Sequence, residues 1–167
     1  MGVALNHNSI SKNIFDIFER YDGDRKCQIF GSDISVHLTQ EDKVIPDVFP
    51  IRNPDVVKDK DVVGVPDLVV EVLCRKTRMY DRGFKYHLYE RCGVKEYWLV
   101  TSHGYYSIEV FLLEDGKYRL DEIYELFEQY EIDDMTDEER AELVYEFKTH
   151  LYDDLIIDIR DVFKGID

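Results

Sequence analysis

No stretch of this sequence carries the roughly 20 consecutive apolar residues that a membrane-crossing helix needs. Its first residues, Met1 to Asn13, lack both a basic start and a long apolar run, so no secretory leader is expected. The chain opens Met1-Gly2, but Asn6 stands where a myristoylation signal carries Ser or Thr, which argues against a lipid anchor. Cysteine is scarce. Cys27, Cys74 and Cys92 are odd in number and share no metal-like spacing, which predicts free thiols and a cytoplasmic location. Bases are scarce too: 21 Lys and Arg face 36 Asp and Glu, a net charge of −15. That balance argues against a protein that coats nucleic acid by bulk charge alone.

The deficit is uneven. Residues 121 to 148 hold twelve acids against two bases. Residues 75 to 95 run the other way, with Arg75, Lys76, Arg78, Arg82, Lys85, Arg91 and Lys95 against Asp81 and Glu90. The hydrophobic content of 44%, with nine Phe, twelve Tyr and one Trp, fits a packed globular chain. Its 167 residues predict one domain.

Ile10, Ile14, Ile17, Phe18 and Tyr21 recur at helical spacing, predicting a first helix capped by Asn8 or Ser9 and ended at Asp22-Gly23. Alternation predicts a strand over 27 to 38, a second over 44 to 49 with Pro46 at its edge, and a third over 66 to 73. A helix over 81 to 92 stops at Gly93, and strands follow at 96 to 100 and 105 to 113. Asp115-Gly116 marks a hairpin. Thr136 to Glu139 reads as a capping box opening a helix over 136 to 148, and residues 155 to 159 read as a closing extended segment. The order predicts a mixed α/β (α+β) domain around one central sheet.

The most informative stretch is Pro66-Asp67-Leu68-Val69-Val70-Glu71-Val72-Leu73, which sets an acid inside an apolar run just ahead of the basic segment. A buried carboxylate needs a partner. A metal ion is one such partner; the plain alternative is a sheet-edge carboxylate paired with an arginine such as Arg75. Strand alternation puts Asp67, Val69, Glu71 and Leu73 on one face. If the preceding strand pairs with this one, Asp47 stands beside Glu71. Two adjacent carboxylates repel, a conflict that Mg²⁺ or Mn²⁺ removes. A lysine nearby, such as Lys85 with Tyr89 one turn on, completes a set suited to cleaving phosphodiesters. Plain readings stand beside these: Asp67 as a strand-start cap, Asp81 as a helix N-cap, Tyr89 and Tyr97 as core, His7 as structural, and the acids of 121 to 148 as a solvated face.

Pro46-Asp47, the run from Pro66 to Leu73, then Thr77-Arg78, Tyr80-Asp81-Arg82-Gly83, Lys85, Tyr89, Gly93-Val94 and Glu96-Tyr97-Trp98-Leu99-Val100 together resemble the Uma-two family of "putative restriction endonucleases", within the PD-(D/E)XK nuclease superfamily. The likeness covers about residues 7 to 113, with 155 to 163 similar to the family's closing segment. It implies a restriction-endonuclease-like fold, a central mixed sheet flanked by helices, against which the acidic segment at about 121–149 reads as a helical insertion. The same likeness implies a divalent-metal-dependent endonuclease acting on nucleic acid, with DNA expected. It also implies Asp47 and Glu71 as metal ligands and Lys85 in the lysine's place on the following helix, because Leu73 occupies the usual lysine position. Asp67, Asp81 and Tyr89 form a second tier, and Arg75, Lys76, Arg78 and Arg82 are expected to meet phosphates. Three positions depart from the pattern. The Tyr-Glu-Leu-x-x-Gly hairpin that precedes the first helix is lacking, Cys74-Arg75-Lys76-Thr77 replaces Ser-Pro-Ser-Thr, and Thr101 replaces an aspartate after Val100. A homodimer is the expected assembly for cutting two strands. The rival reading is a catalytically idle nuclease fold serving as an interaction module, its acidic segment docking a basic protein.

Overall fold

In the computed structural model, which describes residues 3–22 and 27–166, six strands form the central sheet. Helix α1 (Val3–Tyr21) precedes β1 (Gln28–Gly31), β2 (Ser35–His37), β3 (Lys43–Val44), β4 (Val48–Ile51), β5 (Asp61–Val63) and β6 (Leu68–Leu73). A continuous helical stretch follows, made of α2 (Arg78–Tyr80), a π-helical turn (Asp81–Lys85) and α3 (Tyr86–Cys92). Then come β7 (Glu96–His103), β8 (Tyr105–Glu114), β9 (Lys117–Leu126), α4 (Gln129–Asp134), α5 (Asp137–Ala141), β10 (Glu146–Lys148), β11 (Ile156–Asp158) and α6 (Ile159–Val162). The central order is β1-β4-β6-β7-β8-β9, antiparallel throughout except for the parallel pair β6 and β7. That parallel pair is joined through the helical stretch, as such a connection requires. The predicted mixed sheet flanked by helices is therefore present.

Alternation along the central strands builds two cores. Leu68, Val70 and Val72 of β6, with Trp98 and Val100 of β7, face α1. There Ile10, Ile14 and Phe18 are fully buried, and the Phe18 and Trp98 rings lie 5.7 Å apart. Each side chain of this size contributes roughly 1.5–3 kcal/mol through burial. On the opposite face Val69 and Leu73, with Tyr97 and Leu99, pack under Leu88 and Tyr89 of α3 and under the small sheet β3-β2-β5. Gly93 ends the helix at φ +87, a left-handed backbone that favours glycine. The expected hairpin is there as well, with Asp115 and Gly116 at φ 51 and 74.

Several local expectations fail for physical reasons. Helix α1 begins at Val3, so Asn8 and Ser9 lie inside it and cap nothing; Gly23 falls outside the described residues. The predicted strand over 27 to 38 breaks at a Gly31–Ile34 turn, giving β1 and β2 in different sheets. Pro46, which has no N–H to donate, divides 44 to 49 between β3 and β4. The capping box at Thr136 forms, but its helix ends at Ala141. Phe147 is instead drawn into the core as part of β10, 5.1 Å from the Trp98 ring and 4.3 Å from Tyr124. The acidic segment is thus only partly helical, since β9 occupies it as far as Leu126. Among the described residues no helix is long and apolar enough to cross a membrane.

Candidate active site

The centre of the site lies where β4 and β6 part. Their one recorded pairing is Val48 with Val70, and extending that register by one residue sets Asp47 opposite Glu71. Asp47 Oδ2 accepts from the Val72 N–H at 2.7 Å and lies 3.2 Å from His7 Nε2 on α1. The Asp47 carboxylate thus fills the gap in the ladder that Pro46 helps to open. Its hydrogen bond raises the His7 pKa, against the opposing effect of burial, and favours the imidazolium.

Glu71 is 2% exposed on a central strand, not at a sheet edge, and its partner is Lys85, not Arg75. Lys85 Nζ lies 2.8 Å from Glu71 Oε1, and the Tyr89 hydroxyl donates to the same oxygen at 2.7 Å. Burial pushes the Glu71 carboxyl up to about 8; Lys85 opposes that rise, while Asp47 and Asp81 add to it. Burial alone would push the Lys85 ammonium down, but the Glu71 charge prevails and raises it. Tyr89, buried beside a carboxylate, is held well above the ordinary tyrosine value and remains a donor.

The helical stretch aims these groups. A wide π turn, closed by Tyr86 N–H on the Asp81 carbonyl, spans Asp81 to Lys85. Asp81, Lys85 and Tyr89 recur every fourth residue and all three are buried against the sheet. Insertions of this kind into α-helices recur at functional sites. Asp81 is not the N-cap, which is Thr77; it sits inside the stretch with Oδ1 3.3 Å from Lys85 Nζ, a charge contact without hydrogen-bond geometry. Tyr97 is core, as expected, and its hydroxyl donates to the Asp81 carbonyl oxygen.

Asp47, Glu71, Lys85, Asp81 and Tyr89 therefore converge, while Asp67 does not. It stands at the other end of β6 and pairs with Lys95 at 2.7 Å. Of the basic set, Arg82 is forked onto Glu109, Lys76 is exposed in the loop, and Arg75 and Arg78 line a cleft beyond Leu73. Sequence reasoning missed Thr101 as a wall of that cleft, where the departure from the family's aspartate was the available signal. It also missed Glu96, a second buried acid hidden in an aromatic strand.

The donor set suits a hard divalent cation. Both recorded contacts of Asp47 fall on Oδ2 and both of Glu71 on Oε1. Among the described residues, Asp47 Oδ1 and Glu71 Oε2 accept no hydrogen bond and remain available as hard oxygen donors. No group of three His, Cys, Asp or Glu side chains is arranged for a metal among the described residues, so the two carboxylates would need water or backbone oxygens to complete a shell.

A crystal structure from Anabaena variabilis, described as "a putative nuclease belonging to DUF820", superposes over 95% of this chain and 80% of its own at a TM-score of 0.65 and 13% identity, a likeness of fold. Two proteins of Synechocystis sp. are similar in sequence, the uncharacterized protein slr1290 at 30% identity over 68% of this chain and the uncharacterized protein sll1609 at 26% over 65%. The chain's match spans 60% and 63% of those relatives' lengths. The family model described as "Uma2: Putative restriction endonuclease" matches residues 1–142, and the chain belongs to that family.

Proposed function

We propose that the protein is a divalent-metal-dependent nuclease that hydrolyses phosphodiester bonds in nucleic acid, with DNA as its substrate. The observation that carries this reading is Asp47 anchored on the Val72 N–H, one residue beyond the Val48–Val70 pair and so beside Glu71, with Lys85 against the Glu71 carboxylate. Asp47 and Glu71 would hold Mg²⁺ or Mn²⁺. Such a cation supplies Lewis acidity toward a phosphate oxygen and toward the attacking water.

The chain's own residues set the rest. Lys85 keeps its proton beside Glu71, so it serves as a fixed positive charge for the pentavalent phosphorus and not as a general base. Tyr89 fixes the Glu71 carboxylate through Oε1 and leaves Oε2 facing away from that bond. His7 and the Val72 amide hold Asp47 in the same manner through Oδ2. The exposed bases after β6 approach the phosphates without reading sequence.

The test is cleavage of plasmid and oligonucleotide DNA with Mg²⁺ or Mn²⁺ by wild type, Glu71→Ala and Lys85→Ala. Metal-dependent cutting lost in Glu71→Ala and cut about a hundredfold in Lys85→Ala is expected. Cutting that survives Glu71→Ala, or its absence from a folded wild type, would refute the reading.

A further inference from the structure

Beyond the metal-ligating pair, at the carboxyl ends of the parallel strands β6 and β7, lies a cleft of about 210 Å³. Crevices at this end of parallel strands are where open α/β sheets bind ligands. Arg75, Arg78 and Arg82 enter from the loop and helix, and Thr101, His103 and Tyr105 enter from β7 and β8. Arg82 is oriented by its fork onto Glu109, the carboxylate that offsets part of the cleft's charge. Arg75 and Arg78 are exposed and make no ion pair among the described residues, so their charge is uncommitted.

The second, independent observation is Thr101. Its residue is 9% exposed, and its Oγ1 is buried without a hydrogen-bond partner among the described residues. Its cross-strand partner Ser107 likewise has a buried hydroxyl with no hydrogen-bond partner among the described residues. Unsatisfied buried hydroxyls are uncommon because each forfeits its hydration without return. Thr101 lines a cleft rich in arginine, its hydroxyl closed to solvent as it stands; turned toward the cleft it would gain the acceptor it lacks, and the acceptor that suits three guanidinium groups is an oxyanion. Thr101 also sits opposite Leu73, two residues beyond Glu71 on the same face, about 7 Å along the strand.

We propose that this cleft is a phosphate subsite, seating one phosphate group of a nucleic-acid strand on Arg75, Arg78 and Arg82 with the Thr101 hydroxyl donating to it. The proposal rests on the nuclease reading for its biological ligand, but its test does not. The phosphate has two possible sources, an internal phosphodiester beside the bond being cut or a terminal phosphomonoester.

Binding is measured in EDTA, where no cleavage occurs, by NMR titration of the whole chain with inorganic phosphate and then with hydroxyl-ended and 5′-phosphorylated single-stranded oligonucleotides. Phosphate should shift the Thr101 and Arg78 resonances. The near-isosteric Thr101→Val should weaken binding about tenfold, as should Arg75→Gln with Arg78→Gln, the loss expected for a charged hydrogen bond. Thr101→Val removes an unpartnered hydroxyl, so its melting temperature should hold, keeping the comparison valid. Tighter binding of the phosphorylated oligonucleotide assigns a terminal phosphate, and equal binding assigns an internal one; either supports the subsite. Shifts confined to other regions, or wild-type affinity in Thr101→Val, overturn it. Metal-dependent cutting with no phosphate shift would sink the subsite and leave the nuclease reading intact. Phosphate binding without cutting would do the reverse.

Discussion

Two glutamates on neighbouring strands, Glu71 of β6 and Glu96 of β7, are equally buried at 2% exposure, yet they are built for different ends. Glu96 has both oxygens committed. Oε1 accepts from the Trp98 indole at 2.8 Å, and Oε2 accepts from the Thr149 hydroxyl and the His150 amide, each at 2.9 Å. Those bonds tie β7 to the loop before β11 and satisfy the acid within the fold. Among the described residues Glu71 commits only Oε1, to a lysine and a tyrosine. Burial raises both carboxyls. Three donors favour the charged form at Glu96, whereas Glu71 has Asp47 and Asp81 working against it. Burial of an acid is therefore no mark of function in this molecule. What separates the two is whether the second oxygen is left uncommitted.

That contrast can be broken most directly by activity. Glu71→Ala should lower metal-dependent kcat by about a thousandfold or more, while Glu96→Gln, still able to accept from Trp98, should stay within about tenfold of wild type. Equal losses in the two variants would mean that the distinction between them is not functional. Stability should reverse the order. Glu96→Ala strands the Trp98, Thr149 and His150 donors and should cost about 3 kcal/mol or more in urea unfolding, and Glu71→Ala should cost clearly less.

Dependence on pH sharpens the comparison further. The Glu71 carboxyl binds its proton more tightly folded than unfolded, between an ordinary 4.5 and about 8. In the metal-free protein this group's contribution to stability should therefore be fully present below that window and lost as pH rises through it, by at most roughly 5 kcal/mol. Glu71→Gln should flatten that fall, and Mn²⁺ should restore the melting temperature at pH 8 in wild type but not in Glu71→Gln. A fall as steep in Glu71→Gln as in wild type would assign the effect elsewhere. The smallest effect expected is that of Tyr89→Phe, which removes one donor from Glu71 Oε1 and should cost about 1 kcal/mol and a few-fold in kcat.

How much of this was legible beforehand varies along the chain. Glu71 stood out because an acid between valines contradicts its surroundings, and strand alternation alone gave the face it shares with Val69 and Leu73. Gly93 and Asp115-Gly116 marked their turns because left-handed backbone narrows the choice of residue. Glu96 was illegible, since its donors Thr149 and His150 lie more than fifty residues away. The short run of Phe147 as a strand was hidden by a strong capping box just upstream, whose local preference yields to the burial of one aromatic ring against Trp98.

The sequence by itself determined the run of helices and strands around one central sheet, the two apolar faces of its central strands and the candidate carboxylates, because periodicity and turn chemistry are local properties. Only the tertiary structure decided that Lys85, not Arg75, meets Glu71, that Asp67 stays apart and pairs with Lys95, and that Thr101 is left with an unpartnered hydroxyl in an arginine-lined cleft. Each of those depends on which side chains the packing of a helix on a sheet brings within about 3 Å, the reach of a hydrogen bond, and no local pattern carries that distance.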